Sequence, residues 1–388
     1  MNSRLQIPNG MQDTLPGECL RKRQMEQQLR ESFRLCGYQE IETPLLELYD
    51  ALDDATYGYR PEQVWKTFDA RGRVLAVRPD TTIPAVRLAA GRLREAPLPL
   101  RLCYMQSSAA YESDTVSMLC EKTQAGVELM GESDPAADAE VIALAVTSLR
   151  QAGLKDFQIE LGQAMFVDGF MQEAGLTPAQ SAEVRRLTEE KNALALQMYL
   201  TRLPVSGDAA ARLMRLPQLY GDASVLDVAE ALTAHPLCRA AIGNLRAIIA
   251  CLDAWGCADC LSVDLGMVHH ANYYSGMIFR GITAQLGEPI LSGGRYDGLP
   301  ARFGREIPAV GFALNLKLLM MALENQGERF APPEADVRVA FAPDALDAAI
   351  ACVKDMRAQG RAAVLVYGGQ PGDVTVTRAG VFPAAKEA

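Results

Sequence analysis

Histidine is almost missing from this chain, with three residues in 388, and tryptophan is rarer still at two. So few imidazoles leave little material for histidine-based acid–base work or for a histidine-rich metal centre. The sequence has no H-E-x-x-H, no G-x-S-x-G and no cysteine–histidine pair at suggestive spacing, and it also lacks a G-x-x-x-x-G-K-[ST] phosphate loop and a G-x-G-x-x-G behind a strand. An excess of positive charge is missing too: the formal net charge is −10. That is a poor footprint for gripping a phosphate backbone, and it argues against a nucleic-acid partner. The basic run Arg21-Lys22-Arg23 is followed by Glu26 and reads as a solvated helix face. No apolar run reaches membrane-spanning length, and the opening MNSRLQIPNG lacks the apolar core of a secretory leader. The expectation is a cytoplasmic protein with no membrane contact. Its nine cysteines are odd in number and scattered, as free thiols in a reducing compartment would be. Cys257 and Cys260 have CxxC spacing with Cys251 upstream, but no second pair follows, so the spacing alone assigns them neither metal nor redox work.

What is present is an ordinary globular composition, 49% apolar and 22% charged, long enough for two or three domains. The stretch 101–131 reads as two strands, 102–105 and 124–130, joined by a long polar loop. Strand alternation puts Gln124, Gly126, Glu128 and Met130 on one face. An amide and a carboxylate on a strand otherwise built of Val127, Leu129 and Met130 are costly to bury without partners. A bound ammonium or other cation is one such partner, and a solvated face is the alternative.

Around that stretch, four-residue apolar steps predict a helix over 16–35 with Gly37 as its cap, and 39–46 reads as a strand broken by Pro44. The segments 64–68 and 73–78 form a hairpin, and Arg78-Pro79-Asp80-Thr81-Thr82 leads into a helix capped by Asp80 and the threonines. A helix over 134–154 and a strand over 156–161 precede a helical insertion at about 177–256, with periodicity in 182–203, 209–216, 225–234 and 238–255. Strands return at 261–267, 273–285 and 290–292, then a tight glycine turn at 293–299, and a strand at 309–314 running into a helix. A linker at 326–334 leads to a small strand–helix–strand tail. Dispersed polar residues are candidates for one small-molecule pocket: Asp80, Thr82, Gln124, Glu128, Tyr273, Tyr274 and Tyr296. Acid and amide groups suit an ammonium, and phenols suit an aromatic or imidazole ring. The pair His269-His270, at a strand end, reads as surface or structural.

A series of short motifs, in order, resembles the core of class II histidyl-tRNA synthetases over residues 1–325. They are Asn9-Gly10-Met11-Gln12-Asp13-Thr14-Leu15-Pro16, then Gly37-Tyr38 with Ile41 and Thr43-Pro44, then Arg78-Pro79-Asp80-Thr81-Thr82. Gln124-Ala125-Gly126-Val127-Glu128, Asn272-Tyr273-Tyr274, the 293–299 segment and Ala309-Val310-Gly311-Phe312-Ala313 continue the match. The resemblance implies an α+β fold: a class II aminoacyl-tRNA synthetase-like antiparallel sheet flanked by helices, with the helical insertion and a small α/β C-terminal domain at 335–388. It assigns Asp80, Gln124 and Glu128 to an amino acid's amino group and Tyr274 and Tyr296 to an imidazole.

Departures from the family pattern change the expected function. The arginine of the second motif falls on Ala110, within Ala109-Ala110-Tyr111-Glu112, and that of the third motif on Leu318. A further family arginine falls on His269. Three cations that would hold ATP are therefore expected to be absent, and losing even one oxyanion donor costs about 2.7–4 kcal/mol. The tail at 335–388 is also shorter than the family's anticodon-binding domain. A histidine pocket without ATP chemistry resembles the regulatory-subunit family of ATP phosphoribosyltransferase. That resemblance implies a non-catalytic subunit with no cofactor or metal. It would partner a short-form catalytic subunit, as a homodimer within a hetero-octamer, and convey feedback by L-histidine. The alternatives are an active histidine–tRNA ligase and an orphan paralog that binds another amino acid.

Overall fold

Ten consecutive residues of alternating character are what a long strand with two different faces requires, and two such strands form the centre of the molecule. In the computed structural model, which describes residues 5–52, 59–111, 120–267 and 273–383, α1 (Pro16–Leu35) ends at Gly37, whose φ of +79° is the left-handed cap that glycine favours. β1 (Gln39–Glu40) and β2 (Leu46–Leu48) are separate short strands on either side of Thr43-Pro44. β3 (Lys66–Phe68) and β4 (Val74–Val77) form the expected hairpin, and β2 pairs with β4 to complete a three-stranded sheet. α2 (Thr82–Ala90) follows, and then the central pair, β5 (Leu100–Ala109) and β6 (Glu121–Met130). α3 (Pro135–Ala152), β7 (Gln158–Gln163) and α4 (Ala164–Glu173) come next.

The helical region holds α5 (Pro178–Glu189), α6 (Ala193–Leu200), α7 (Gly207–Leu213), β8 (Tyr220–Gly221), α8 (Val225–Leu232) and α9 (Pro236–Ala254). The sequence read 182–203 as one helix. The chain breaks it at Lys191, a non-glycine residue with a left-handed φ of +49°, and Asn192 restarts it by accepting the Ala195 N–H at 3.1 Å. Nor is the region a simple insertion. β8 adds a strand to the main sheet, and α9 packs against α3, α4 and the sheet as a core helix. β9 (Leu261–Asp264), β10 (Met277–Ile282), β11 (Leu291–Arg295), α10 (Gly298–Arg302), β12 (Ala309–Asn315) and α11 (Leu316–Asn325) complete the first compact unit.

Among the described residues the main sheet has nine strands in the order β1-β5-β6-β12-β11-β10-β7-β9-β8. Its interior pairings are antiparallel, as expected, while β1–β5 and β7–β9 are parallel. The register gives it two unlike faces. On one, Val127, Phe312, Phe279 and Leu161 are fully or almost fully buried, and Phe33 of α1 meets Phe312 edge-on with ring centroids 6.3 Å apart. On the other lie Tyr104, Gln106, Gln124, Glu128, Arg280 and Glu160, bearing the polar groups. The expected tight turn at 293–299 is different in fact: Gly293 and Gly294 lie within β11. A Cβ on Gly293 would sit 2.7 Å from Phe279, and one on Gly294 would sit 2.8 Å from the Tyr274 ring, so these glycines make room for aromatic rings rather than for a bend.

Residues within 14–20 and 330–388 group as a second compact unit. Its sheet runs β14-β13-β15-β16, made from β13 (Val337–Phe341), β14 (Ala363–Leu365), β15 (Val374–Thr377) and β16 (Gly380–Pro383), with α12 (Leu346–Ala358) on one face. Val337, Val339, Ala349, Val353 and Val376 form its small core. β16 was not expected from the sequence, where Gly380 breaks the pattern.

Candidate amino-acid-binding site

The polar face of β6 carries the site. Glu128 is 1% exposed and stands opposite Gly311 of β12 and Leu102 of β5. A Cβ on Gly311 would sit 1.9 Å from a Glu128 carboxylate oxygen, so only glycine leaves the carboxylate room to lie across β12. Two phenols donate to it: Tyr104 to Oε1 at 3.1 Å, and Tyr296 to Oε2 through a short bond. Tyr104 lies over Gly126, where a Cβ would come within 2.5 Å of its ring. Burial pushes the Glu128 carboxyl up to about 8, against the pull of these phenols and of the Thr82 hydroxyl. Burial likewise raises the Tyr104 and Tyr296 hydroxyls well above the ordinary phenol range, so they stay donors.

The start of α2 brings the second acid. Asp80 is 6% exposed, and its Oδ1 accepts the Ile83 N–H at 3.1 Å in place of a threonine cap. Desolvation raises its pKa, opposed by hydrogen bonds from Ile83 and from the Tyr59 side chain. Thr81, not Thr82, donates to Gln124 Oε1 at 3.2 Å, while the Thr82 hydroxyl lies 3.4 Å from that of Tyr104. Tyr273, Tyr274 and Tyr296 close the apolar side, with ring centroids 4.8 Å apart for the first two and 5.9 Å for Tyr273 and Tyr296. They pack against a cluster of Ile83, Val86, Leu102 and Leu299. The structure thus brings together all seven sequence-predicted site residues. It adds Tyr104, which the sequence reading absorbed into an apolar run. The signal was there: Tyr104 alternates with Leu102 and Gln106.

The turn that presents Tyr296 is held from behind. Arg295 faces the helical side of the sheet, where its Nε and Nη2 donate to Asp138 Oδ1 of α3 at 2.9 and 2.6 Å. Its Nη1 reaches the Glu132 carbonyl at 3.0 Å and Asp297 at 3.1 Å. This buried pair ties the end of β11 to the helix that follows β6.

Elsewhere the chemistry is bland. Cys257 and Cys260 are buried, Cys260 Sγ donates to the Cys257 carbonyl at 3.3 Å, and burial raises both thiols, Cys260 to about 11. Protonated buried thiols are poor nucleophiles and poor metal ligands. Among the described residues no cluster of histidine, cysteine and acidic side chains is suited to a metal ion. A surface cavity of about 500 Å³ beside Arg150, Lys155 and Asp259 lies away from the site, and its Arg150 already pairs with Asp259 at 2.7 Å. Ala110 and Leu318, the positions expected to lack arginines, are both 3% exposed. His269 and Glu112 lie outside the described residues.

A histidyl-tRNA synthetase family profile matches residues 10–319. The chain is 40% identical to an ATP phosphoribosyltransferase regulatory subunit of Acetivibrio thermocellus, over 92% of this chain and 86% of that one. A crystal structure from Bacillus halodurans, described as an ATP phosphoribosyltransferase regulatory subunit/histidyl-tRNA synthetase, superposes with a TM-score of 0.85 at 31% identity, covering 94% of this chain and 93% of that one. Histidyl-tRNA synthetase from Nostoc shares the fold, with a TM-score of 0.79 at 18% identity, over 95% of this chain and 87% of that one.

Proposed function

The chain belongs to the family of ATP phosphoribosyltransferase regulatory subunits, built on a histidyl-tRNA synthetase-like fold, and from that premise we propose that it is the histidine sensor of the complex. A regulatory subunit has a catalytic partner; we place there the short-form catalytic subunit, joined in a hetero-octamer. The observation that carries the sensor reading is the buried Glu128 carboxylate, held by a phenol on each oxygen and walled by tyrosine rings. Such a floor suits a flat heterocycle with an N–H, so Glu128 takes the imidazole, and Asp80 with Gln124 takes the ammonium. In contrast to the resemblance-based assignment, this moves Glu128 from the amino group to the ring. Ala110 and Leu318, apolar and buried, offer a nucleotide no charge, which supports a non-catalytic role.

Histidine must bind one arrangement of the complex better than another, because equal affinity shifts no equilibrium. Purified together with the short-form catalytic subunit, the chain is expected to raise its turnover, and histidine to lower it. A turnover unaffected by this chain and by histidine counts against the sensor.

The proton balance at Glu128 gives a pH prediction. In the complex, Glu128 and the imidazole share one proton. Free imidazole titrates near 6.5, and the free carboxyl is pushed up to about 8. Below the first value the separated partners carry two protons, and above the second they carry none. Histidine affinity is therefore expected to plateau between about 6.5 and 8 and to fall about tenfold per pH unit on either side. Calorimetric titration across pH 5–9.5 checks it. If Glu128 instead takes the ammonium, affinity rises steadily up to pH 8. For the ligand-free fold the sign is simple. The raised pKa means the folded state keeps a proton that the unfolded chain gives up, so this contribution is present at low pH and is lost as pH climbs through about 8.

We also propose a homodimer through the three-stranded sheet. Its outer face pairs Leu46 with Val77 and Leu48 with Leu75, and Leu46 and Leu48 are 41% and 43% exposed. Leu48→Glu is expected to yield monomers by light scattering, and an unchanged mass would sink this interface. The separate compactness of the tail supports reading 335–388 as its own small domain. Nine free cysteines suit a reducing cytoplasm.

A further inference from the structure

An amino acid is a zwitterion, and the site as described answers only part of it. Asp80, Gln124, Glu128 and the tyrosines suit an ammonium and a ring. Nothing in that set neutralises an α-carboxylate, which an ionised Asp80 repels. The missing charge lies on the same strand. β6 alternation puts Lys122 on one face with Gln124, Gly126 and Glu128, and the register sets it opposite Ser108 of β5. It stands two residues outward from Gln124, about 6–7 Å along the strand. Lys122 is half-buried, while its neighbour Glu121 is exposed. Its charge also reaches across to Asp80, where it helps hold that buried carboxyl down.

Two arginines of this region are engaged with protein groups of their own. Arg280, on the same sheet face but three strands away, pairs with Glu160 at 2.5 Å. Arg78 donates from Nε to the Ser107 carbonyl at 2.7 Å and from Nη1 to the Thr43 carbonyl at 2.8 Å and Gln106 at 2.9 Å. We propose that Lys122 receives the α-carboxylate of the bound amino acid and so makes the site select a free amino acid over its amine or alcohol relatives. The inference rests on the histidine-sensor reading and extends it to specificity. A lysine suits the role, since its flexible stem carries a compact charge that follows the carboxylate without imposing a bidentate geometry.

The test is calorimetric titration of the full-length protein with L-histidine, with L-histidinol (CH2OH in place of the carboxylate) and with histamine. The wild type is expected to prefer histidine by about tenfold or more, the worth of one charge-assisted bond. Lys122→Met is expected to weaken histidine by about tenfold while moving histidinol by less than about twofold, and Lys122→Arg to restore most of the preference. An unchanged melting temperature without ligand confirms that the variants fold. If Lys122→Met weakens histidine and histidinol alike, or weakens neither, the assignment of Lys122 is wrong while the sensor stands. If the wild type binds none of the three ligands, the sensor reading itself falls.

Discussion

Glu128→Ala is expected to cut histidine affinity by about a hundredfold or more and to abolish the rise in melting temperature that histidine produces. The carboxylate is almost wholly buried, and truncation removes its whole contribution at once. A hydrogen bond to a charged group is worth about 1.5–3 kcal/mol, and about 1.4 kcal/mol is a factor of ten in affinity. Truncation also strands two donors, since Tyr104 and Tyr296 both point at the removed oxygens. An unpaired buried hydroxyl costs about 1–3 kcal/mol in its own right. Part of that cost is offset because the carboxyl is itself strained by burial, as its pKa of about 8 records. The variant is therefore expected to fold, with its loss concentrated in binding. Glu128→Gln keeps the shape but turns one acceptor into a donor facing a phenol, so an intermediate affinity is expected. Calorimetry and thermal shift on all three proteins decide the matter, and wild-type affinity in Glu128→Ala would refute the site.

Asp138→Ala is expected to cost about 3–5 kcal/mol of stability, the usual cost of breaking a buried ion pair from one side. Asp138 is fully buried and Arg295 is 7% exposed, so neither charge can turn to water when its partner goes. Alanine leaves Nε and Nη2 of Arg295 without their acceptor, while Nη1 keeps Glu132 and Asp297. Asp138→Asn should be milder. A single oxygen, Oδ1, takes both guanidinium bonds, and Oδ2 has no hydrogen-bond partner among the described residues, so an asparagine oxygen keeps both bonds while its amide nitrogen takes the place of Oδ2 and the charge is lost. Because Tyr296 follows Arg295 directly, histidine binding is expected to weaken in Asp138→Ala beyond what lost folding explains. Denaturant melts and titration at a temperature where the variant is folded separate the two effects. A stability within about 1 kcal/mol of wild type would show that the pair is replaceable.

Both experiments probe residues that were readable to different degrees. Glu128 and Gln124 were legible because strand alternation is local: two residues of spacing put them on one face whatever the rest of the chain does. The same holds for α1, with its apolar steps and Gly37 cap, and for the β3–β4 hairpin. For Tyr104, alternation gave the face it shares with Leu102 and Gln106 but not its role. Its importance depends on β5 pairing with β6 in the one register that lays its ring over Gly126 and its hydroxyl against Glu128. Gly293 and Gly294 were misread for a related reason. Glycine signals a turn locally, but here it leaves space for rings carried by other segments. The break at Lys191 and the core role of α9 likewise depend on packing rather than periodicity.

By itself the sequence determined which residues of one strand face together, where α1 begins and ends, and, through ordered motifs, the family. The tertiary structure alone decided which distant side chains meet: Tyr104 and Tyr296 on Glu128, Thr81 rather than Thr82 on Gln124, and Arg295 on Asp138. The physical reason is that backbone periodicity fixes direction within an element at no cost in long-range order. A contact between elements is set by strand register and helix docking, and these minimise energy over the whole core at once.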